Sequence, residues 1–188
     1  MENIWKGEKI RLRKASKNDG ILFADEHGNM DTDVQRRYDY IDFPLADKTF
    51  GKRIEKFFEE ESFGHDFMFV IETNKKEAAG FVIVFDCDHR MGTFKYGLFM
   101  LEKYKGMGYG SEAVKIMLNY YFNELRYNKV NVYIYDYNTP SIKFHEKLGF
   151  VKEGRLRQMA YSNGSYHDTL FYGMLKDEFN KQNPLKDF

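Results

Sequence analysis

The stretch KYKGMGYGSEAVKIM, residues 103 to 117, places glycine at 106, 108 and 110, directly after one apolar run and directly before an amphipathic one. Three glycines in five residues cost backbone entropy at each position, so a chain keeps them where it must turn tightly or where another group approaches the backbone closely. Upstream, TFKYGLFM (93–100) is short and rich in aromatic and aliphatic residues, the pattern of a buried strand. Downstream, Ser111 can cap a helix, Glu112 falls in its first turn, and Val114, Met117, Leu118, Tyr121 and Leu125 recur at helical spacing as one apolar stripe. The unit reads strand, glycine turn, helix. A helix start presents unpaired N–H groups and a positive dipole end, and bare glycine backbone beside it admits a phosphate or pyrophosphate to hydrogen-bonding distance. The glycines by themselves are equally compatible with a helix start behind a merely flexible loop.

Spacing excludes two families of phosphate loop. A dinucleotide fingerprint needs G-x-G-x-x-G, whereas these glycines are evenly spaced by two; a P-loop needs Gly-Lys followed by Ser or Thr, which is absent here. An anion at this turn belongs to another class of ligand.

With 188 residues the chain is expected to form one domain with a sizeable core. It carries 29 basic and 29 acidic side chains, so no net field steers it toward nucleic acid or membrane. Cys87 is the single cysteine, which excludes an internal disulfide and fits a reducing compartment. No run approaches the roughly 18 apolar residues of a membrane span, and MENIWKGEKIRLRK lacks an apolar signal core. A cytoplasmic protein is expected, monomer or homodimer, with no membrane partner and no direct nucleic-acid partner.

The remaining chain alternates between strand and helix signals. GEKIRLRKAS (7–16) alternates around Ile10 and Leu12 as a half-exposed strand does, Asp19 to His27 suits a helix, and Asp47 can cap a helix with Phe50, Ile54, Phe57 and Phe58 on one face. Strands follow at DFMFVIET (66–73), GFVIVFD (80–86) and TFKYGLFM, with turns at Asn74 to Glu77 and Asp88 to Gly92. KVNVYIYDYN (129–138) is β-branched and aromatic, hence a further strand. TPSIKFHEKLGF begins with Pro140 near a helix N1 position and ends with Gly149 where a left-handed C-cap falls. GRLRQMAYSNGSYHDTLFYGML forms two runs around Asn163-Gly164, a strong hairpin signal. DCDH (86–89) lacks the spacing of a calcium loop or zinc site and reads as a solvated turn, so no metal is expected. The acidic run Glu59 to Glu61 reads as a solvated helix face, with attraction of a cationic substrate as the alternative.

Two motifs in the right order carry a family resemblance. Lys105-x-x-Gly108-x-Gly110 followed by SEA, then N-x-x-S-x-x-F-H-E-K-L-G-F from Asn138 to Phe150, resembles the GNAT superfamily of acyl-CoA-dependent N-acetyltransferases. The opening IRLRKASKND, the step at 149–154 and the closing hairpin with Asp168 resemble its branch of ribosomal-protein N-terminal and polyamine acetyltransferases. The similarity spans about residues 8 to 178, leaving a short C-terminal tail of a single acyl-CoA N-acyltransferase domain over 1–188.

The resemblance implies an α/β (α+β) fold: a mixed, mostly antiparallel twisted sheet of about seven strands flanked by helices, splayed between the strands at 93–100 and 129–138. It implies acetyl-CoA as co-substrate, its pyrophosphate on the backbone N–H groups of Lys105, Gly106, Met107, Gly108, Tyr109, Gly110 and Ser111, and its pantetheine along the free strand edge at Phe99 and Met100. Asn138 and Ser141 map to the cofactor side. Lys105 stands where the family usually has Arg or Gln, keeping positive charge without the planar fork.

The implied reaction is direct attack of a primary amine on a thioester. A base must take the ammonium proton, and an acid must assist the departing thiolate. His145 stands where the family commonly has a Tyr acid, making it the candidate acid; an imidazole there would equally cover the edge of the core. No Glu lies on TFKYGLFM to serve as base, and Asp136 and Tyr135 are weak candidates. The acceptor is a protein N-terminus, a polyamine or another small amine, its pocket expected from residues of about 20 to 60 and the hairpin loop in the 160s. A non-catalytic acyl-CoA-binding module and an aminoglycoside-type N-acetyltransferase are the alternatives.

Overall fold

A computed structural model describes residues 3–16, 19 and 64–184. Apart from Asp19, the helices expected after Asp19 and from Asp47, the acidic run at Glu59 and the acceptor segment of about 20 to 60 lie outside the described residues. The described strands are β1 (Ile10–Lys14), β2 (Phe67–Thr73), β3 (Ala78–Asp88), β4 (Thr93–Met100), β5 (Lys129–Tyr135), β6 (Val151–Ser162) and β7 (Ser165–Leu175). The described helices are α1 (Tyr109–Asn119), α2 (Thr139–Lys147) and α3 (Lys176–Gln182).

The strands form a mixed seven-stranded sheet in the order β1-β2-β3-β4-β5-β7-β6. β1 with β2, β5 with β7 and β6 with β7 are antiparallel, and β4 with β5 is parallel. That parallel ladder is short. It joins Thr93–Lys95 to Lys129–Asn131, although β4 runs to Met100 and β5 to Tyr135.

The described residues fall into two compact units. The first takes in the described residues up to Ile83 together with Leu98–Ile116. Its core holds Ile10, Leu12, Val70, Ile71, Ala79, Val82, Leu101 and Val114, all at most 3% exposed. The alternation of β1 turns Arg11 and Arg13 to the other face, where both pair with Glu72 of β2, and Arg13 also holds the buried Asp19 carboxylate at 2.7 Å.

The second takes in Val84–Gly97 with the described residues from Met117 onward. Its centre is aromatic: Phe94 stacks on Tyr121 at 4.8 Å and meets Tyr127 at 5.3 Å and Phe122 at 5.7 Å. Each such contact is worth about 0.5–1.5 kcal/mol beyond area burial, so Phe94→Ala would cost roughly 3–5 kcal/mol. The apolar stripe downstream of α1 continues through a π-turn at Tyr120–Glu124, which keeps Tyr121 and Phe122 buried.

Local signals locate several boundaries. Asn163 and Gly164 both have positive φ, 50° and 80°, and close a two-residue hairpin between Ser162 and Ser165. Gly149 at φ 91° ends α2: its N–H donates to Glu146 O at 3.0 Å while Phe150 N–H reaches His145 O at 3.0 Å, the paired bonds of a Schellman cap. Some boundaries differ from expectation. β5 ends at Tyr135, three residues earlier than expected, because Asn138 is already the cap of α2. The polar segment after Leu175 forms α3, started by Glu178 accepting the Leu175 N–H at 2.8 Å and anchored by the buried Phe179.

Candidate functional site

The glycine turn has the conformation that its sequence demands. Gly106 and Gly108 sit at φ 77° and 84°, in the left-handed region that side chains disfavour. A Cβ at Gly106 would meet nothing within 4 Å among the described residues. Gly110 has another reason to be glycine: a Cβ there would come within 3.1 Å of Leu98 Cδ2 and 3.6 Å of Met100, so it is packed against β4. Ser111 is not the helix cap. α1 begins at Tyr109, and Gly108 O already accepts the Glu112 N–H at 3.1 Å, because the glycine backbone turns into the helix three residues sooner. A start at Tyr109 leaves the N–H groups of Tyr109, Gly110 and Ser111 without carbonyl partners inside the helix.

A cation missed by the sequence reading flanks this turn. Lys9 Nζ donates to Met107 O at 3.4 Å and lies 3.4 Å from the Cβ position of Gly108. Its backbone is fixed by Glu112, whose carboxylate accepts the Lys9 N–H at 3.0 Å. The link spans 103 residues, which is why no local pattern announced it. Lys105, the expected cation, pairs with Glu102 at 2.5 Å. Positive-φ backbone, a helix start and an exposed ammonium suit an anionic diphosphate. On β4, Phe99 and Met100 are buried, with Phe99 stacked on Phe81 at 5.1 Å.

The second unit places Asn138, Ser141 and His145 on α2. Asn138 Oδ1 accepts the Ser141 N–H at 3.3 Å, and Pro140 occupies the first turn where its missing N–H costs nothing. His145 is 7% exposed, and its Nδ1 lies 2.8 Å from Ser141 O and 3.3 Å from Ser141 Oγ. Burial holds the imidazole down to about 4 from its ordinary 6.5, against the opposing pull of the Ser141 carbonyl. The ring is therefore neutral at pH 7. With Nδ1–H on the carbonyl, Nε2 carries a lone pair; with Nδ1 accepting from the hydroxyl, Nε2 carries the proton. Among the described residues, His145 Nε2 and Tyr96 Oη are the buried side-chain polar atoms without a hydrogen-bond partner.

Of the two candidate bases, Tyr135 stacks on Tyr137 at 5.4 Å, and Asp136 accepts the Asp168 N–H at 3.2 Å. Asp136 also lies 3.3 Å from His167 Nδ1, a neighbour that sequence spacing did not reveal. Asp168 is itself held below the usual carboxylate range by the Gln158 N–H and then by Arg155. DCDH, expected as a turn, lies for its first three residues in the end of β3, where Asp86 pairs with Lys95 at 2.8 Å and Asp88 accepts the Met91 N–H at 2.9 Å.

Comparison with known proteins bears on this arrangement. Residues 9–151 match the model of the acetyltransferase (GNAT) domain. The chain belongs to this acetyltransferase family. The GNAT chain is 35% identical over 93% of its length to the SPbeta prophage-derived uncharacterized N-acetyltransferase YokL of Bacillus subtilis (strain 168), covering 94% of that protein. It is 23% identical over 59% of its length to spermidine N(1)-acetyltransferase of Vibrio cholerae, covering 64% of it. The crystal structure of spermidine N-acetyltransferase from Vibrio cholerae in complex with CoA and spermine superposes with a TM-score of 0.74 at 19% identity, covering 90% of this chain and 97% of that one. The GNAT fold, the acetyltransferase class and the branch that the motifs resembled are thereby borne out.

Proposed function

We propose that this acetyltransferase uses acetyl-CoA to acetylate a primary amine by direct attack, with a polyamine as the first acceptor class to test. The observation that carries the reading is the turn at Gly106 and Gly108, positive in φ, uncrowded at Gly106 among the described residues, and flanked by the Lys9 ammonium at the start of α1. The backbone N–H groups from Lys105 to Ser111 would hold the diphosphate, and Phe99 and Met100 would border the pantetheine. Asn138 and Ser141 would contact the cofactor from the start of α2. When bound, acetyl-CoA supplies an acetyl thioester activated toward amines.

The candidate acid His145, a neutral imidazole, is assigned a hydrogen bond from Nε2–H to the departing sulfur, with no net loss of its proton. That role requires the tautomer in which Ser141 Oγ–H donates to Nδ1 and Nε2 carries the proton. Polyamine acceptors are favoured by the relatives named spermidine N(1)-acetyltransferase. The test is a panel of spermidine, spermine, a peptide with a free N-terminus and an aminoglycoside, each with acetyl-CoA, read by thiol release and by product mass. Thiol release above background hydrolysis with one amine supports the reading and names the acceptor. No release with any amine, while calorimetry still detects CoA binding, would make the chain an acyl-CoA-binding module instead.

A further inference from the structure

Amine acetylation needs a group that removes a proton from an ammonium; β4 carries no Glu, and of the candidate bases Tyr135 stacks on Tyr137 while Asp136 lies beside a histidine. That histidine has the required connections. His167, on β7, lies with Nδ1 3.3 Å from Asp136 Oδ1 and Nε2 3.0 Å from Ser165 Oγ. The Ser165 hydroxyl can donate to Nε2 or, at 3.4 Å, to Ser162 O; with the His167 proton on Nδ1 beside the carboxylate, Nε2 carries the lone pair. Asp136 is itself held by the Asp168 N–H at 3.2 Å, and Tyr137 packs edge-on against the imidazole at 4.7 Å, so the ring is oriented from two sides. The groups facing it among the described residues are Asp136 and Tyr137 from the β5–α2 turn and Ser165 from its own strand, with Asp168 and its partner Arg155 adjoining.

Position and exposure agree with a role in proton removal. Asp136 and Tyr137 immediately precede Asn138, the cap of α2, and His167 lies two residues from the hairpin turn expected to border the acceptor. The His167 side chain is 26% exposed, so a proton taken at Nε2 can pass to solvent.

We infer that His167, oriented by Asp136, is the general base of this acetyltransferase, an inference that rests on the amine-acetylating function proposed above. The ammonium gives one proton to His167 Nε2, and the freed nitrogen pair forms the C–N bond to the thioester carbonyl. The C–S bond breaks with its electrons on sulfur, and the second ammonium proton passes to that sulfur as the amide forms, leaving a thiol. His167 returns its proton to solvent. Ser165 gives up its place on Nε2 to the amine and takes no part in bond making.

The experiment measures thiol release from acetyl-CoA for wild type, His167→Gln, Asp136→Asn and Ser165→Ala, using spermidine and the other panel amines across pH 6 to 10. Calorimetry with CoA and circular dichroism accompany each variant. His167→Gln should lower the rate by roughly a hundredfold near neutral pH, with CoA affinity unchanged. The deficit should shrink as pH rises toward about 10, where a primary ammonium deprotonates in solution and needs no base; a merely structural defect would not recover in this way. Asp136→Asn should show a smaller deficit of the same shape. Wild-type turnover with an undiminished His167→Gln rate would remove the base assignment and leave the acetyltransferase reading standing. CoA binding without turnover on any amine would remove both. An acetyl group found by mass spectrometry on Ser165 after acetyl-CoA alone, and lost in Ser165→Ala, would replace the base with a nucleophilic serine and overturn the inference.

Discussion

His145 Nδ1 lies 2.8 Å from the carbonyl oxygen of Ser141, one turn earlier on α2, and the rest of the ring is closed in by Tyr96 at 5.8 Å and Phe150 at 5.1 Å between centroids. Burial thus keeps the imidazole neutral down to about pH 4, whereas an unfolded chain protonates it near 6.5. Between these values the unfolded state binds the extra proton, so stability falls as pH falls, by at most about 1.4 kcal/mol per pH unit. Above 6.5 the contribution is fully present. Chemical denaturation of wild type and His145→Phe at a series of pH values should show the slope from 6.5 to 4 reduced in the variant. Parallel curves for the two proteins would mean that the ring reaches solvent more readily than its burial implies.

The glycine turn separates space from conformation. Gly106→Ala meets no atom of the described residues within 4 Å and carries only the left-handed φ penalty, roughly 1–2 kcal/mol of stability. Gly108→Val adds a branched side chain beside Lys9 at a φ of 84° and should abolish CoA binding while circular dichroism still shows a folded chain. Lys9→Met should weaken CoA about fivefold, roughly 1 kcal/mol, and flatten the salt dependence of binding. Calorimetry at two ionic strengths measures this; unchanged affinity in both Gly108→Val and Lys9→Met would remove the diphosphate from this turn.

What sequence could and could not reveal follows the range of each interaction. The hairpin at Asn163-Gly164, the cap at Gly149 and the strand at 93–100 are local, each encoded within a few residues by backbone preference or apolar pattern. The early start of α1 depends on where the Gly108 carbonyl points, so Ser111 offered a plausible but mistaken cap. α3 has little apolar pattern of its own and is fixed by Phe179 meeting Phe122 at 5.6 Å. Lys9 beside Met107 and His167 beside Asp136 join segments distant in sequence, and only the sheet brings them together.

At Asn138 the cap role and the proposed cofactor role can be pulled apart. Asn138→Asp keeps an oxygen for the Ser141 N–H and adds negative charge at a helix start, so the melting temperature should hold or rise slightly. The lost amide donor and the added charge should weaken CoA by about tenfold, roughly 1.4 kcal/mol. Thermal melts and calorimetry together decide it. Equal CoA affinity with an unchanged melt would leave Asn138 as a cap.

The acid limit of the first unit should be set by Glu72 and Asp19. Burial pushes the Glu72 carboxyl up, but the hydrogen bonds from Arg11 and Arg13 outweigh it and hold the group below its ordinary range; Asp19 is likewise raised by burial and lowered further by Arg13 and Ser16. Carboxylates depressed in the folded state contribute stability that is present above their unfolded values, about 4, and is lost as pH falls through the lower folded values. Glu72→Gln removes one of them while leaving both arginines nearby without their shared anion, so the variant should be less stable at pH 7 and should lose less stability than wild type on acidification below 4. Denaturant titrations at pH 7 and pH 3 give the two differences. A variant that loses as much on acidification as wild type would show that Glu72 contributes no pH-dependent stability and that the acid limit lies with other groups.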